Sequence, residues 1–251
     1  MKKFVPMILV LALLLSMSIS AAATENPVVE SQNVNVTYVP AKAAGTVISV
    51  DIEWSGMDFT YNEASRTWNA ATHQYDEKAG GWEDGYGTIT ITNNSSVILQ
   101  ADISYTPETD FSDIFMAFTN QTPYIGSAYT NENGQGAACE VQVLAVPKGD
   151  LEEALDKKTT IGTVKVTVET GGTWDAVAGE IEGNYTKIKS SDGTGLERGT
   201  VYYTAADVTA VENAYGELAE LIDQGVTNEA QINAALNPAI VAYYNSMKIG
   251  Q

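Results

Sequence analysis

Between about residue 33 and residue 169, apolar side chains recur at every second position, and that period limits this chain more than any other feature. Successive side chains of an extended strand point to opposite faces, so strict alternation seats one face on a core and leaves the other to water. The clearest run is Val97, Leu99, Ala101, Ile103 and Tyr105, set against Ile98, Gln100, Asp102 and Ser104. The same phase marks Val34, Val36 and Tyr38; Ile48, Val50, Ile52 and Trp54; Ile89 and Ile91; Cys139, Val141 and Val143; and Val164, Val166 and Val168. Turn chemistry separates the runs. Asn93-Asn94-Ser95-Ser96 has the length of a tight hairpin, and Gly80-Gly81 and Glu83-Asp84-Gly85 bracket Trp82 in a longer loop. Short strands with turns between them and no interleaved helix predict a mainly β fold, an antiparallel β-sandwich over 33–170. Phe111, Ile114, Phe115 and Phe118 have helical spacing, but their place between strands favours strand or short turn. Residues 149–158, with Leu151, Ala154 and Leu155, read as one or two helical turns.

The two ends of the chain follow other rules. Residues 1–23 open on Met1-Lys2-Lys3, run apolar from Phe4 to Met17 and end in Ser20-Ala21-Ala22-Ala23, the three parts of a secretory signal cleaved after Ala23. Pro6, Ser16, Ser18 and Ser20 leave this run short of the ~18 clean apolar residues that spanning a bilayer requires. A linker over 24–32 is expected to follow. The expected location is therefore secreted or extracellular, either released or held at the cell surface without a covalent anchor. After Gly171-Gly172 a loop-rich connector, 171–202, leads to a helical hairpin over 203–251. There Thr204 and Asp207 read as a capping box, and Val208, Val211, Tyr215, Leu218 and Ile222 form a helical stripe that Gln224-Gly225 stops. Thr227 is expected to cap a second helix through Ile232, Leu236, Ile240 and Tyr243, interrupted at Asn237-Pro238. Glu212, Glu217, Glu220 and Asp223 make the first helix's solvated face.

Charge and scarce residue types remove whole classes of function. With 32 acidic residues against 13 basic ones, a net charge of −19, the chain is repelled by nucleic-acid phosphates and by anionic membrane surfaces. A single cysteine, Cys139, forms no internal disulfide, and its place on an apolar phase marks a buried small side chain. A single histidine, His73, cannot supply a zinc cluster and is the only imidazole for a serine–histidine scheme, for which no G-x-S-x-G elbow exists. Walker and dinucleotide glycine motifs are absent. Asn131, Asn133, Gly134 and Glu140 match four places of the EF-hand calcium loop, but Tyr129 stands where its first charged ligand belongs, so this is chance turn composition. Asp76, Glu77, Glu83 and Asp84 leave room for incidental calcium near Trp82. No cofactor, metal site or catalytic residue is assigned.

What remains is aromatic. Trp54, Tyr61, Trp68, Tyr75, Trp82 and Tyr86 crowd into one stretch. Trp54 sits on an apolar strand phase and reads as core. Trp68, Tyr75 and Trp82 lie in polar surroundings and are the candidate contact residues, because aromatic faces stack on sugars and anchor protein interfaces. The competing role is to plug the end of the sandwich.

Val50-Asp51-Ile52-Glu53-Trp54, Met57-Asp58-Phe59-Thr60-Tyr61, Thr67-Trp68-Asn69, Thr72-His73-Gln74-Tyr75, Gly81-Trp82 and Ile89-Thr90-Ile91-Thr92-Asn93 resemble a secreted immunoglobulin-like domain of Gram-positive surface proteins, with Thr160–Val166 similar to its last strand. Tyr203–Ala206 through Asn228–Leu236 is similar to small helical FIVAR-type modules, though short and carrying Pro238. Both resemblances imply an accessory or adhesive surface protein, and neither implies catalysis. The function expected is non-catalytic binding, adhesion or scaffolding of an extracellular protein or glycan. The rivals are a carbohydrate-binding module, needing two of the three aromatics coplanar or flanking a groove; a glycosidase-like enzyme, needing two facing carboxylates in a cleft; and a fibre subunit with an open edge strand.

Overall fold

The computed structural model describes residues 35–38, 48–130, 136–151, 155, 157–185, 187 and 190–251. The expected signal (1–23), the linker (24–32), the calcium-like positions Asn131, Asn133 and Gly134, and Ala154 of the expected helical turn lie outside them.

Along the chain the first strands are β1 (Asn35–Tyr38), β2 (Val50–Ser55), β3 (Tyr61–Asn62), β4 (Ser65–Asn69), β5 (Gln74–Lys78), β6 (Gly81–Trp82), β7 (Gly87–Asn93) and β8 (Leu99–Pro107). After them come β9 (Phe115–Phe118), β10 (Tyr124–Ile125), β11 (Tyr129–Thr130), β12 (Gly136–Ala137), β13 (Cys139–Lys148) and β14 (Gly162–Thr170). Helix α1 (Trp174–Tyr185), β15 (Val201–Tyr202), α2 (Ala205–Asp223), α3 (Glu229–Asn245) and β16 (Lys248–Ile249) complete the chain. The fold is mainly β, with three helices, the last two near the C-terminus.

Two four-stranded sheets, ordered β1-β14-β8-β10 and β2-β7-β13-β9, carry the alternating runs. Pairing within them is antiparallel except at the first strand, which lies parallel to β14 with Val36 opposite Val166. Leu99, Ala101, Ile103, Val164, Val166 and Val168 from one sheet share a buried core with Ile89, Ile91, Val141, Val143 and Ala145 from the other. Each fully buried Ile, Leu or Val contributes roughly 1.5–3 kcal/mol relative to its exposed state, so period two is enough to orient both sheets. Trp54 packs against this core and Cys139 is buried in it, where loss of hydration pushes the thiol up to about 12.

Asn93-Asn94-Ser95-Ser96 is not a hairpin. Strands β7 and β8 belong to different sheets, and the four residues turn the corner between them. The buried Asn93 side chain makes that corner: its Nδ2 donates to the carbonyls of Val97 (2.8 Å), Gly126 (2.9 Å) and Ile125 (3.3 Å), and its Oδ1 accepts the Ser95 amide (2.8 Å). Residues 111–118 resolve into a 3-10 turn at Thr109–Phe111 and the strand Phe115–Phe118.

The helical region differs from expectation in three places. Helix α1 occupies part of the stretch expected to be loop-rich; Trp174, Val177, Ala178, Ile181 and Tyr185 have helical spacing, while Gly179 and Gly183 fall on its exposed side and disguise it. Asn228, not Thr227, caps α3, accepting the Gln231 amide at 3.1 Å. And α3 runs through Pro238 without a break. An internal proline costs about 3 kcal/mol, and here burial of Ala235, Leu236, Ala239 and Ile240, with Asn237 Nδ2 donating to the Ser127 carbonyl at 2.9 Å, offsets it. The Thr204–Asp207 capping box forms as the sequence predicts. Helix α3 covers the part of β13 that β9 leaves open: Asn245 accepts the Gln142 amide (2.8 Å) and donates to the Glu140 carbonyl (3.2 Å). Helices and sheets thereby share one core. Among the described residues, no helix is long and apolar enough to cross a membrane.

Candidate functional site

Strands β2 and β7 are antiparallel neighbours, with Ser55 opposite Thr88, so a short turn could join them. Residues 56–86 leave instead as a projecting two-stranded ribbon. Connections between antiparallel neighbours are mostly about 2–5 residues long. The ribbon's base is β3 paired to β6, and its outer part is β4 paired to β5. Four of the five side chains of β4 and all five of β5 are exposed.

Register decides which side chains meet. Trp68 lies opposite Tyr75 and Arg66 opposite Glu77, so these four share one face of the ribbon; Thr67, Asn69, Gln74, Asp76 and Lys78 share the other. Trp68 and Tyr75 are each 50% exposed, their ring centroids 5.1 Å apart at an interplanar angle of 66°. The Arg66 guanidinium lies 4.1 Å from the Tyr75 centroid, covering one of its faces, and pairs with Glu77 at 3.4 Å. Asn69 closes the turn, accepting the amides of Ala71 and Thr72, and its Nδ2 donates to Asp76. His73 completes the turn at φ 53, the left-handed region that glycine and asparagine occupy more cheaply, and sits beside Trp68.

Trp82 does a different job. It is half-buried at the base, edge-on to Tyr61 at 5.1 Å, and its Nε1 donates to the Gly149 carbonyl at 2.7 Å. Tyr61 donates to Asp150, and its phenol pKa is raised by burial and by the Asp150 charge. Arg198 reaches across to donate to the carbonyls of Pro147 (2.8 Å), Glu83 (3.0 Å) and Trp82 (3.5 Å). Burial lowers the Arg198 pKa, opposed by the charge of Asp84. Two hydrogen bonds to residues 149–150 and two from Arg198 therefore hold the base, which cuts the ordering cost of any contact made at the outer ribbon. Gly80 is required there, because a Cβ would lie 2.8 Å from the Ala64 amide nitrogen.

Of the three residues that sequence singled out, the structure brings Trp68 and Tyr75 together and sets Trp82 apart as a strut. Sequence reasoning missed Arg66. Its signal was there: had 70–73 been read as the turn, alternation would have put Arg66, Trp68, Tyr75 and Glu77 on one face. Asp76 and Glu77 point to opposite faces of β5, and among the described residues no three His, Cys, Asp or Glu side chains converge as metal ligands.

No protein-family model matches this chain, and no curated protein does. Among solved structures, it is similar to CBM51-2 in complex with GlcNAc and INT domains from Clostridium perfringens ZmpB, at 10% identity and a TM-score of 0.22 over 82% of this chain and 52% of that one. The match spans about half the length of that chain, and so loose an overlap carries no argument about fold or ligand.

Proposed function

We propose that this is an exported, non-catalytic binding protein whose contact face is formed by Trp68, Tyr75 and Arg66. The observation that carries the reading is the ribbon 56–86, which takes two large aromatic rings out of reach of the core and leaves them half in water. Half-exposing two rings that could each bury about 150–250 Å² leaves roughly 4 kcal/mol of hydrophobic stabilisation unused at 25 cal/mol per Å². A partner that covers them recovers it. Trp, Tyr and Arg are the three residue types most enriched among interface hot spots. A protein partner is favoured over a sugar, because rings at 66° offer no flat two-ring platform and Arg66 already covers one face of Tyr75. Two four-stranded sheets around one core support the Ig-like surface-domain reading; helices built into that same core favour a continuous unit over a separate FIVAR-type module.

The test probes the purified chain and its Trp68→Ala variant side by side on a glycan array and an array of cell-surface proteins. A protein ligand bound by the wild type and lost by about 30-fold in the variant, with an unchanged melting temperature, is the expected result. Equal binding by both forms, or a substrate turned over by either, overturns it.

A further inference from the structure

A strand at a sheet edge presents unpaired backbone groups, and proteins guard such edges with charge, proline, bulges or a covering loop. Three edges here are guarded. Strand β2 carries Asp51 and Glu53; β9 runs beneath the loop at Gly199, where a Cβ would meet Ala117; and β5 ends in Asp76-Glu77-Lys78. Strand β4, Ser65-Arg66-Thr67-Trp68-Asn69, pairs only with β5 among the described residues and contains no acid, glycine or proline.

We propose that the β4 edge pairs antiparallel with the β4 edge of a second copy of this chain, across a two-fold axis at Thr67. The sequence is complementary to itself in that register. Thr67 meets Thr67, Ser65 meets Asn69, and Arg66 meets Trp68, twice over. Threonine pairs and hydrogen-bonding pairs are favourable cross-strand neighbours, and an arginine beside a tryptophan gains a cation–π contact. No like charges oppose each other, because Arg66 is the strand's one charged residue. Given the observed pairing of β4 with β5, two rows then cross the joined four-stranded face: Tyr75, Trp68, then Arg66 and Glu77 of the second copy, and the same row reversed. The ribbon is also a place where two polyanions can touch without net repulsion between the touching segments. Residues 65–78 hold Arg66 and Lys78 against Asp76 and Glu77, neutral within a chain of net charge −19. An isologous contact of this kind closes at the dimer and builds no fibre. It goes beyond the binding face proposed above, since it uses the ribbon's edge, and it places two Trp68–Tyr75 couples on one surface.

Sedimentation velocity on the full chain tests the dimer over a range of protein and salt concentrations. Because the copies repel at long range and the contact itself is short-range, dimerisation strengthens with salt, by about tenfold as the Debye length falls from ~30 Å to ~3 Å. Thr67→Glu and Thr67→Lys each place like charges together on the axis and leave monomers; mixed, they restore a heterodimer. Thr67→Cys provides a second variant, closing to a disulfide-linked dimer under added oxidised glutathione, since residues opposite in an antiparallel pair lie ~4.5–5.5 Å apart at Cα. Thr67 is on the face opposite Trp68, so array binding by the glutamate variant remains as in the wild type if the aromatic face acts alone. A wild type that stays monomeric at every salt and protein concentration, or a glutamate variant that dimerises equally well, overturns the proposal whatever the arrays show.

Discussion

Asn93 and Asn94 are adjacent and chemically identical, yet the same substitution is expected to cost far more at one than at the other. Asn93 is fully buried, and its amide group serves three carbonyls and one amide, all but the Val97 carbonyl in buried hydrogen bonds. Its two N–H hydrogens and one carbonyl oxygen amount to three hydrogen bonds' worth of satisfaction. At about 1–1.5 kcal/mol each, with the partners left unpaired in the corner, Asn93→Ala is expected to cost about 4 kcal/mol. For a chain of this size that lowers the melting temperature by about 8–16 °C. Asn94 is exposed and donates to Asp51 at 2.9 Å; Asn94→Ala is expected to cost no more than ~0.5 kcal/mol. Urea denaturation of both variants, with m-values compared to confirm that the native state is unchanged, measures the difference. Asn93→Asp sharpens the test. A carboxylate facing three carbonyls has its folded pKa raised, so it contributes most favourably below the ordinary aspartate pKa, and its penalty grows as pH rises through the folded value. This variant is therefore expected to be less stable than the alanine variant at neutral pH and to recover in acid. Similar costs at positions 93 and 94, or an aspartate variant indifferent to pH, would refute the corner as described.

Two further outcomes follow from local geometry. His73 holds a left-handed backbone conformation that costs an L-residue about 1–2 kcal/mol, so His73→Asn is expected to slow amide exchange across 65–78 by about fivefold; faster exchange would mean that the imidazole's contact with Trp68 outweighs the strain. Asp207 is subject to burial, which raises its pKa, but the Thr204 hydroxyl and amide and the Lys248 ammonium at 3.2 Å outweigh it and hold the carboxyl below its ordinary 3.8. A depressed folded pKa means stability that is present above about 3.8 and lost as pH falls through the folded value. Asp207→Asn is accordingly expected to cost about 1 kcal/mol at neutral pH, discounted for the partial exposure of Lys248, and nothing once the wild-type carboxyl is protonated. A pH-independent difference in urea midpoints would rule out the charge as its source.

Much of the scaffold was legible because its causes are local. Alternation at Leu99–Tyr105 and Cys139–Val143 specified strands and which face each would bury, since a side chain's direction in a strand depends only on parity. Thr204 and Asp207 specified a helix start, because a capping box is completed within four residues. The Val211, Tyr215 and Leu218 stripe named the buried face for the same reason. Two errors fell where local signals conflict with burial. Gly179 and Gly183 weaken helix propensity, yet α1 forms because its apolar side meets the other helices; Pro238 argues for a break, yet the core closes around it.

The candidate site divides in the same way. Its aromatic residue types were visible along the chain, and their neutral setting between Arg66 and Lys78 can be counted. Which of them meet could not be read without knowing the turn, because a shift of one residue in register would send Trp68 and Tyr75 to different faces of the ribbon. Trp68 and Trp82 look alike in sequence, and only the approach of Gly149, from more than sixty residues away, makes one a strut and leaves the other in water. Parity and capping act over a few residues and are written in the chain; sheet membership, register and the choice of which tryptophan to bury depend on contacts between distant segments, and the folded structure alone settles those.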